Sequence, residues 1–158
     1  MPSLARTGLN MTNINIPEEE YTLIEFRQRD LPGFGTVNTA LKAFEPKATF
    51  PWHLSLLMQC VDLAENRLPS PAEQQCLYTF EDKLHQLIER NGNAAFLARV
   101  THDARRELIW RVRDPEIANS ILQKILQTKD HPRAIDYCME DDPQWEKASW
   151  YLNNATAS

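Results

Sequence analysis

Hydrophobic and polar residues alternate along several short stretches of the chain, and this alternation predicts β-strands. In the clearest stretch, residues 52–61, one predicted face is apolar and consists of Leu54, Leu56, Met58 and Cys60. Further strands are predicted at 21–28, 94–100, 106–112 and 133–140. The turn sequence THDAR joins the third and fourth of these five strands, which predicts a hairpin.

Apolar residues spaced three and four positions apart predict a long helix after residue 70. Ser70 is a favourable N-cap, Pro71 suits the first helical position, and Glu73 is placed to complete a capping box. The predicted buried stripe consists of Leu77, Phe80, Leu84, Leu87 and Ile88. Asn91 and Gly92 then predict the end of this helix, because both residue types tolerate left-handed backbone conformations.

A second helix is predicted at 114–130, where Asp114 is the expected cap and Pro115 the first helical residue. Nearer the N-terminus, proline and glycine predict a turn at 30–35, and the spacing after it predicts a short helix at 36–44.

The order of these elements predicts an α+β fold of the ferredoxin-like type, βαββαβ, preceded by the N-terminal strand and short helix. Two helices would cover one face of an antiparallel sheet, and the other face would be open. The residues predicted on that open face are polar: His53, Ser55, Gln59, Arg99, Arg111, Arg113, Asp136 and Glu140. We expect one domain at 21–152, with flexible tails at 1–20 and 153–158.

The composition is that of a globular protein: 158 residues, 42% of them hydrophobic, with a formal net charge of −5. Nucleic-acid-binding domains are usually basic, so the negative charge disfavours that class of partner. The three cysteines have no metal-site spacing and no even pairing, which favours a reducing compartment. No apolar stretch is long enough to predict a membrane span, and we expect a cytoplasmic protein.

The C-terminal stretch EDDPQW raises three possibilities. Glu140, Asp141 and Asp142 are potential ligands for a divalent cation, but their spacing is not that of a calcium loop. The carboxylates can instead end the last strand and face solvent while Trp145 and Trp150 pack. They can also form an acidic patch for a basic partner, and in that case Trp145 and Trp150 are the predicted aromatic contacts. The metal site is the least favoured of the three, and no metal is predicted.

Arginines form the second candidate constellation. The alternation places Arg99, Arg111 and Arg113 together on the open sheet face, where guanidinium groups can bind phosphate or carboxylate. RNA-binding domains of this fold present aromatic residues on that face, which the pattern here does not. Pairing of these arginines with carboxylates on neighbouring strands is the alternative, and the available partners are Glu107, Asp136 and Glu140.

No motif for nucleophilic catalysis and no phosphate-binding glycine loop occurs in the sequence, so no catalytic residue and no cofactor is predicted.

Several separated segments resemble a bacterial family, the domain of unknown function numbered six hundred and ninety-five. They are VNTALKAFEPKATFPWHLSL, LPSPAEQQCLYTFEDKL, VTHDARRELIWRVRDPE and DYCMEDDPQWEKASWYL. The resemblance covers residues 21–152 and implies a small α+β fold without an established chemistry. It also implies an architecture similar to that of the regulator of ribonuclease activity B, which binds an enzyme. It assigns no catalytic residues.

These observations favour a non-enzymatic protein that binds another macromolecule. In its most concrete form this is an inhibitor or immunity-type protein that neutralises a basic toxin or nuclease. The alternative is a small-ligand or RNA-binding module that uses the arginine-lined sheet face. A metal-dependent enzyme using the acidic stretch is a third hypothesis.

Overall fold

The structure is a computed structural model that describes residues 15–155. Within that range six strands form one sheet: β1 (Tyr21–Gln28), β2 (Leu31–Asn38), β3 (Trp52–Gln59), β4 (Ala94–His102), β5 (Arg105–Val112) and β6 (Ile135–Asp141). The same residues form three α-helices: α1 (Pro71–Ile88), α2 (Pro115–Thr128) and α3 (Glu146–Asn154). The α+β class is therefore confirmed. No helix of the described residues is long and apolar enough to cross a membrane.

The spatial order of the strands is β1-β2-β4-β5-β3-β6, and all neighbouring strands are antiparallel. As a result β3 and β4, which α1 connects, run in the same direction with β5 between them. β5 and β6, which α2 connects, likewise enclose β3. Both helices pack on the same face of the sheet, here called the helix face. Its core includes Leu54, Leu56, Leu77, Leu84, Leu108, Trp110 and Leu122.

Both helices begin where the capping residues predict. Ser70 Oγ accepts a hydrogen bond from the backbone N–H of Glu73 at 3.2 Å, and Asp114 Oδ1 accepts from the N–H of Glu116 at 2.9 Å. The Glu73 carboxylate, however, does not return to the backbone of Ser70. It is buried and accepts hydrogen bonds from Arg133 and from the N–H of Val61, so it anchors two loops to α1.

The turn predicted at 30–35 and the helix predicted at 36–44 are wrong, because residues 31–38 form β2 and pair with β1. The turn consists of Arg29 and Asp30, both at positive φ. Glycines at 33 and 35 suggest a turn in the sequence but serve close packing. A Cβ on Gly33 would lie 2.3 Å from the Phe26 ring. A short 3-10 turn, Thr39–Lys42, comes directly after β2.

The predicted tails at 1–20 and 153–158 lie partly outside the described residues, at 1–14 and 156–158. Residues 15–20 have no regular secondary structure, although Ile16 packs against the core. Asn153 and Asn154 belong to α3, a helix that the sequence interpretation missed. Its signal is the spacing of Trp145, Ala148, Leu152 and Ala155, all of them buried.

The predicted open face is covered at one end, and this is the main correction to the sequence-based fold. α3 and the 39–50 segment pack there and bury a second core, which includes Val37, Leu41, Phe50, Leu97, Ile109, Trp145 and Leu152. Toward the opposite ends of the strands the same face is exposed, and Val100, His102 and Glu107 help to line a shallow cavity of about 170 Å³. We call this side of the sheet the second face.

A β-bulge in β4 changes which side chains reach each face. The register between β4 and β5 shifts between Phe96 and Ala98, so that Leu97 and Ala98 both point toward the second core. Beyond the bulge the alternation is reversed. Arg99 and Thr101 therefore lie on the helix face, whereas uninterrupted alternation places Arg99 on the second face.

Candidate functional site

Arg99 lies under α1 and pairs with Glu81, a buried glutamate. Arg99 Nε donates to Glu81 Oε1 at 2.8 Å, Nη2 donates to Glu81 Oε2, and Nη1 donates to Thr36 Oγ1 at 3.1 Å. The prediction that Arg99, Arg111 and Arg113 share one face is therefore wrong, because of the bulge. The carboxylate that pairs with Arg99 comes from a helix and not from a neighbouring strand.

Glu81 also belongs to a row of charged residues along α1. The His85 imidazole hydrogen-bonds to Glu81 through Nε2 at 3.0 Å and to Glu89 through Nδ1, and Trp110 Nε1 donates to Glu89 at 2.9 Å. Burial alone would lower the pKa of His85. The two carboxylates outweigh burial and raise this pKa to about 9. His85 is therefore an imidazolium at neutral pH and stabilises the row as a cation between two anions.

Arg111 is fully buried on the second face and pairs with Asp142 from the acidic stretch. Nη1 donates to Asp142 Oδ2 at 2.9 Å, and Nη2 donates to the carbonyl oxygen of the same residue at 2.6 Å. His53 Nδ1 accepts from Arg111 Nη1 at 3.2 Å. Burial and then the charge of Arg111 lower the pKa of His53 to about 4, so this imidazole is neutral. Arg111 and Asp142 are consequently inaccessible to a partner in this conformation.

Trp145 closes this buried cluster. Its ring lies 4.7 Å from the Arg111 guanidinium, and its Nε1 donates to the carbonyl oxygens of Lys47 and Phe50 at 2.9 and 3.0 Å. Only 2% of Trp145 is exposed, so it is a core residue. Arg113, just after β5, lies 5.8 Å from the Phe50 ring beside a cleft between the 48–51 loop and the start of α2.

Three further predicted residues lie on β6 and on α3, two elements that an ion pair connects. Glu140 and Asp141 are exposed on β6, and Trp150 on α3 is 51% exposed. Lys147 connects the helix to the strand, because its ammonium lies 3.0 Å from Glu140 Oε2. We call this region the acidic edge and define it by Glu107, Asp136, Cys138, Glu140, Asp141 and Trp150.

Glu107 of β5 and Asp136 of β6 are both paired with Leu57 of β3, which lies between them. Glu107 is therefore included in the acidic edge together with Asp136. Glu107 accepts a hydrogen bond from Ser55 Oγ at 2.5 Å. Tyr151 Oη lies 3.5 Å from Glu107, and the Tyr151 ring contacts Trp150 at 5.1 Å. Burial and then the nearby carboxylates raise the pKa of the Cys138 thiol. The region therefore presents negative charge beside an exposed indole.

β6 is an outer strand of the sheet, so one side of its backbone is directed away from β3. At the two ends of the pairing, Gln59 N–H donates to Ala134 O at 3.0 Å and Asp142 N–H donates to Pro51 O at 2.7 Å. In an antiparallel ladder the intervening alternate residues direct their N–H and C=O groups outward. These residues are Ile135, Tyr137, Met139 and Asp141.

The two sides of β6 differ in chemistry. Asp136, Cys138 and Glu140 project toward the second face and are exposed. Ile135, Tyr137 and Met139 project toward the helix face and pack against its core. Beside Met139, a cleft of about 490 Å³ runs between β3 and the start of α2, and it is lined by Trp52, Pro115, Glu116, Asn119, Ser120 and Met139.

Sequence reasoning missed the most strongly paired charges of the molecule. Glu73, Glu81 and His85 are near or within the apolar stripe of α1, but their partners come from residues 99 and 133 and from the next turn of the helix. A buried carboxylate at a helical core position is the signal that could have indicated such pairs. Among residues 15–155, no group of three or more histidine, cysteine or acidic residues is arranged to hold a metal ion.

Comparison with known proteins identifies one family. A model of a family of unknown function, DUF695, matches residues 27–153. No curated protein and no solved structure gives a significant match. The matched range contains β2 to β6, α1, α2, all of α3 except its last residue, and every residue of the acidic edge. The chain therefore belongs to the DUF695 family.

Proposed function

We propose that this protein is a non-enzymatic binding module that captures a basic, extended segment of a macromolecular partner on the β6 edge. The observation that carries the proposal is an outer strand with an acidic side and an apolar side. An incoming strand that pairs with Ile135, Tyr137 and Met139 gains backbone hydrogen bonds without displacing any strand of the described fold.

Side chains of a docked strand alternate between the two faces of the sheet. On the second face they would meet Asp136 and Glu140, which favours lysine or arginine. On the helix face they would meet Met139 and Trp52, which favours an apolar side chain. The matching sequence therefore alternates basic and apolar residues. Trp150, exposed at the rim, supplies an aromatic anchor of the type that dominates binding energies at interfaces.

This proposal fits an inhibitor or immunity-type role, in which an acidic surface steers a basic toxin or nuclease into contact. The strand order β4-β5-β3-β6, with two helices on one face, supports our assignment of this part as ferredoxin-like with an added N-terminal hairpin. The similarity in architecture to the regulator of ribonuclease activity B is part of the same proposal. Three unpaired thiols support a reducing, cytoplasmic location.

The test uses two synthetic peptides, one alternating lysine with leucine and one alternating glutamate with leucine. We expect calorimetry to detect binding of the lysine peptide only, with an affinity that falls as salt rises. Hydrogen exchange should show new protection at the amides of Ile135, Tyr137 and Met139. The double charge reversal D136K/E140K should weaken binding by at least about tenfold, because it places like charges opposite the peptide.

The matched control is E25K, which reverses an exposed charge on β1, the outer strand at the opposite end of the sheet. Binding should be unchanged in this variant. Charged side chains on an edge strand can also serve only to prevent self-pairing. Equal binding of the two peptides, or normal binding by D136K/E140K, would contradict the proposal and leave the charges with that protective role.

A further inference from the structure

Arg106, on the helix face of β5, is a buried cation with an incomplete set of partners. Its exposure is 0%. Nε donates to Thr101 Oγ1 at 3.0 Å, and Nη2 donates to Gln74 Oε1 at 2.5 Å. Both partners are neutral. Nη1 has no hydrogen-bond partner among the described residues, and within them Arg106 forms no ion pair.

The surroundings of Arg106 are unusual, because two other arginines in the interior have carboxylate partners. Arg111 is equally buried and pairs with Asp142, and Arg99 pairs with Glu81. A guanidinium keeps its charge in proteins, and burial of an unpaired charge is strongly unfavourable. Since Glu81 and Glu89 together balance Arg99 and His85, the local excess is a single positive charge that belongs to Arg106.

Tyr78 of α1 contacts this charge and also reaches solvent. Its ring lies 4.9 Å from the Arg106 guanidinium carbon and 5.2 Å from that of Arg99, so it contacts both cations. Tyr78 itself is 39% exposed on the helix surface. A rotation of this one side chain, with no change in the backbone, would open a path from solvent to Nη1 of Arg106.

We propose that Arg106 is a binding site for a carboxylate group, with Tyr78 as its movable cover. The single uncompensated charge matches a monoanion, and Nη1 together with Nη2 presents the planar pair of donors that a carboxylate accepts. Thr101 and Gln74 hold the guanidinium in position. The site lies on the helix face, so it is separate from the acidic edge and does not depend on the function proposed for that edge.

Acetate is the probe, and sodium chloride at equal ionic strength is the reference. We expect acetate to cause saturable NMR shifts at the side chains of Gln74 and Tyr78 and at the Thr101 amide, and to raise the melting temperature. Phosphate should bind less tightly, because its second charge has no partner. Identical effects of acetate and chloride would overturn the proposal, and phosphate binding tighter than acetate would overturn the carboxylate assignment.

Two variants locate the site. R106M should fold, because it replaces an unpaired buried charge with an apolar side chain of similar length, and it should lose the acetate response. R106K keeps the charge but loses the planar fork, so its response should be at least about tenfold weaker. R105M, at the exposed neighbouring position, is the matched control and should respond normally. A wild-type response in R106K overturns the proposal even where R106M does not fold.

Discussion

Asp141 and Asp142 are adjacent in sequence, yet the structure gives them opposite surroundings. Asp142 is buried, pairs with Arg111 and accepts hydrogen bonds from the N–H groups of Glu146 and Lys147 at the start of α3. Burial would raise the pKa of Asp142, but the hydrogen bond from Arg111 and those from the backbone outweigh it and lower this pKa. Asp141 is exposed. One carboxylate therefore stabilises the fold, and the other is available at the surface.

Asp142→Asn should destabilise the protein by about 3–5 kcal/mol, because it leaves the buried Arg111 charge without its carboxylate. Asp141→Asn, the matched control, should change the free energy of unfolding by less than about 0.5 kcal/mol. Urea denaturation of both variants provides the measurement. Equal stability of the two variants would show that the ion pair between Arg111 and Asp142 contributes little.

The pairing of charged side chains was the property that could least be predicted from the sequence. Alternation correctly identified Leu54, Leu56 and Met58 as the apolar side of β3, because that strand is regular and these residues face one core. It failed at Arg99, since one extra residue in β4 reverses every later side chain and leaves no signature in composition. The partners of Arg99 and Arg111 lie 18 and 31 positions away, beyond any local pattern.

At the scale of elements, the long helices were predictable because their caps and their apolar stripes agree. Sequence reasoning missed α3, which is a short helix. It begins soon after the end of β6, and Pro143 lies between the two elements. Its only signal in the sequence is the spacing of its buried residues. That spacing indicates a helix only once a second core is recognised. β2 was missed for a different reason: its glycines do not form a turn but allow close contact with the Phe26 ring and with the Arg99 carbonyl oxygen of β4.

The two tryptophans near and within α3 make the role of this helix testable. Trp145→Ala should destabilise the protein by about 3–5 kcal/mol, because it removes a buried ring that contacts Arg111 and Phe44 and that donates to two carbonyl groups. Trp150→Ala should cost less than about 1 kcal/mol, since half of that side chain is exposed.

Thermal unfolding followed by circular dichroism measures both tryptophan variants. The two variants also distinguish a contribution to stability from a contribution to peptide binding. Trp150→Ala should weaken binding of the lysine peptide at the acidic edge while the melting temperature stays close to that of the wild type. A large loss of stability in Trp150→Ala would mean that this ring is part of the core and not an anchor for a partner.

At the scale of the whole molecule, the two faces of the sheet place histidines in opposite electrostatic states. On the helix face, His85 lies between Glu81 and Glu89 and its pKa is raised to about 9. On the second face, His53 is buried beside Arg111 and its pKa is lowered to about 4. An unfolded chain would hold both pKa values near about 6.5. The folded state therefore favours a charged histidine on one face and a neutral histidine on the other.

Opposite pH dependences result from linkage between proton binding and folding. The contribution of His85 is complete below about pH 6.5 and is lost as the pH rises through 9, because its folded pKa is the higher one. The contribution of His53 is complete above about pH 6.5 and is lost as the pH falls through 4, because its folded pKa is the lower one. The stability curve should consequently have its maximum between these two limits.

Urea unfolding across this pH range tests the acidic limb and the alkaline limb of the stability curve separately. His85→Gln should flatten the loss of stability between about pH 6.5 and 9, and His53→Gln should flatten the loss between about pH 4 and 6.5. Each variant should leave the other limb unchanged, because the two side chains lie on opposite faces of the sheet. Glu73, whose pKa the hydrogen bond from Arg133 lowers to about 2, adds a further loss below about pH 4.5 that neither variant removes. If His53→Gln instead flattened the alkaline limb, the assignment of a neutral imidazole beside Arg111 would be wrong.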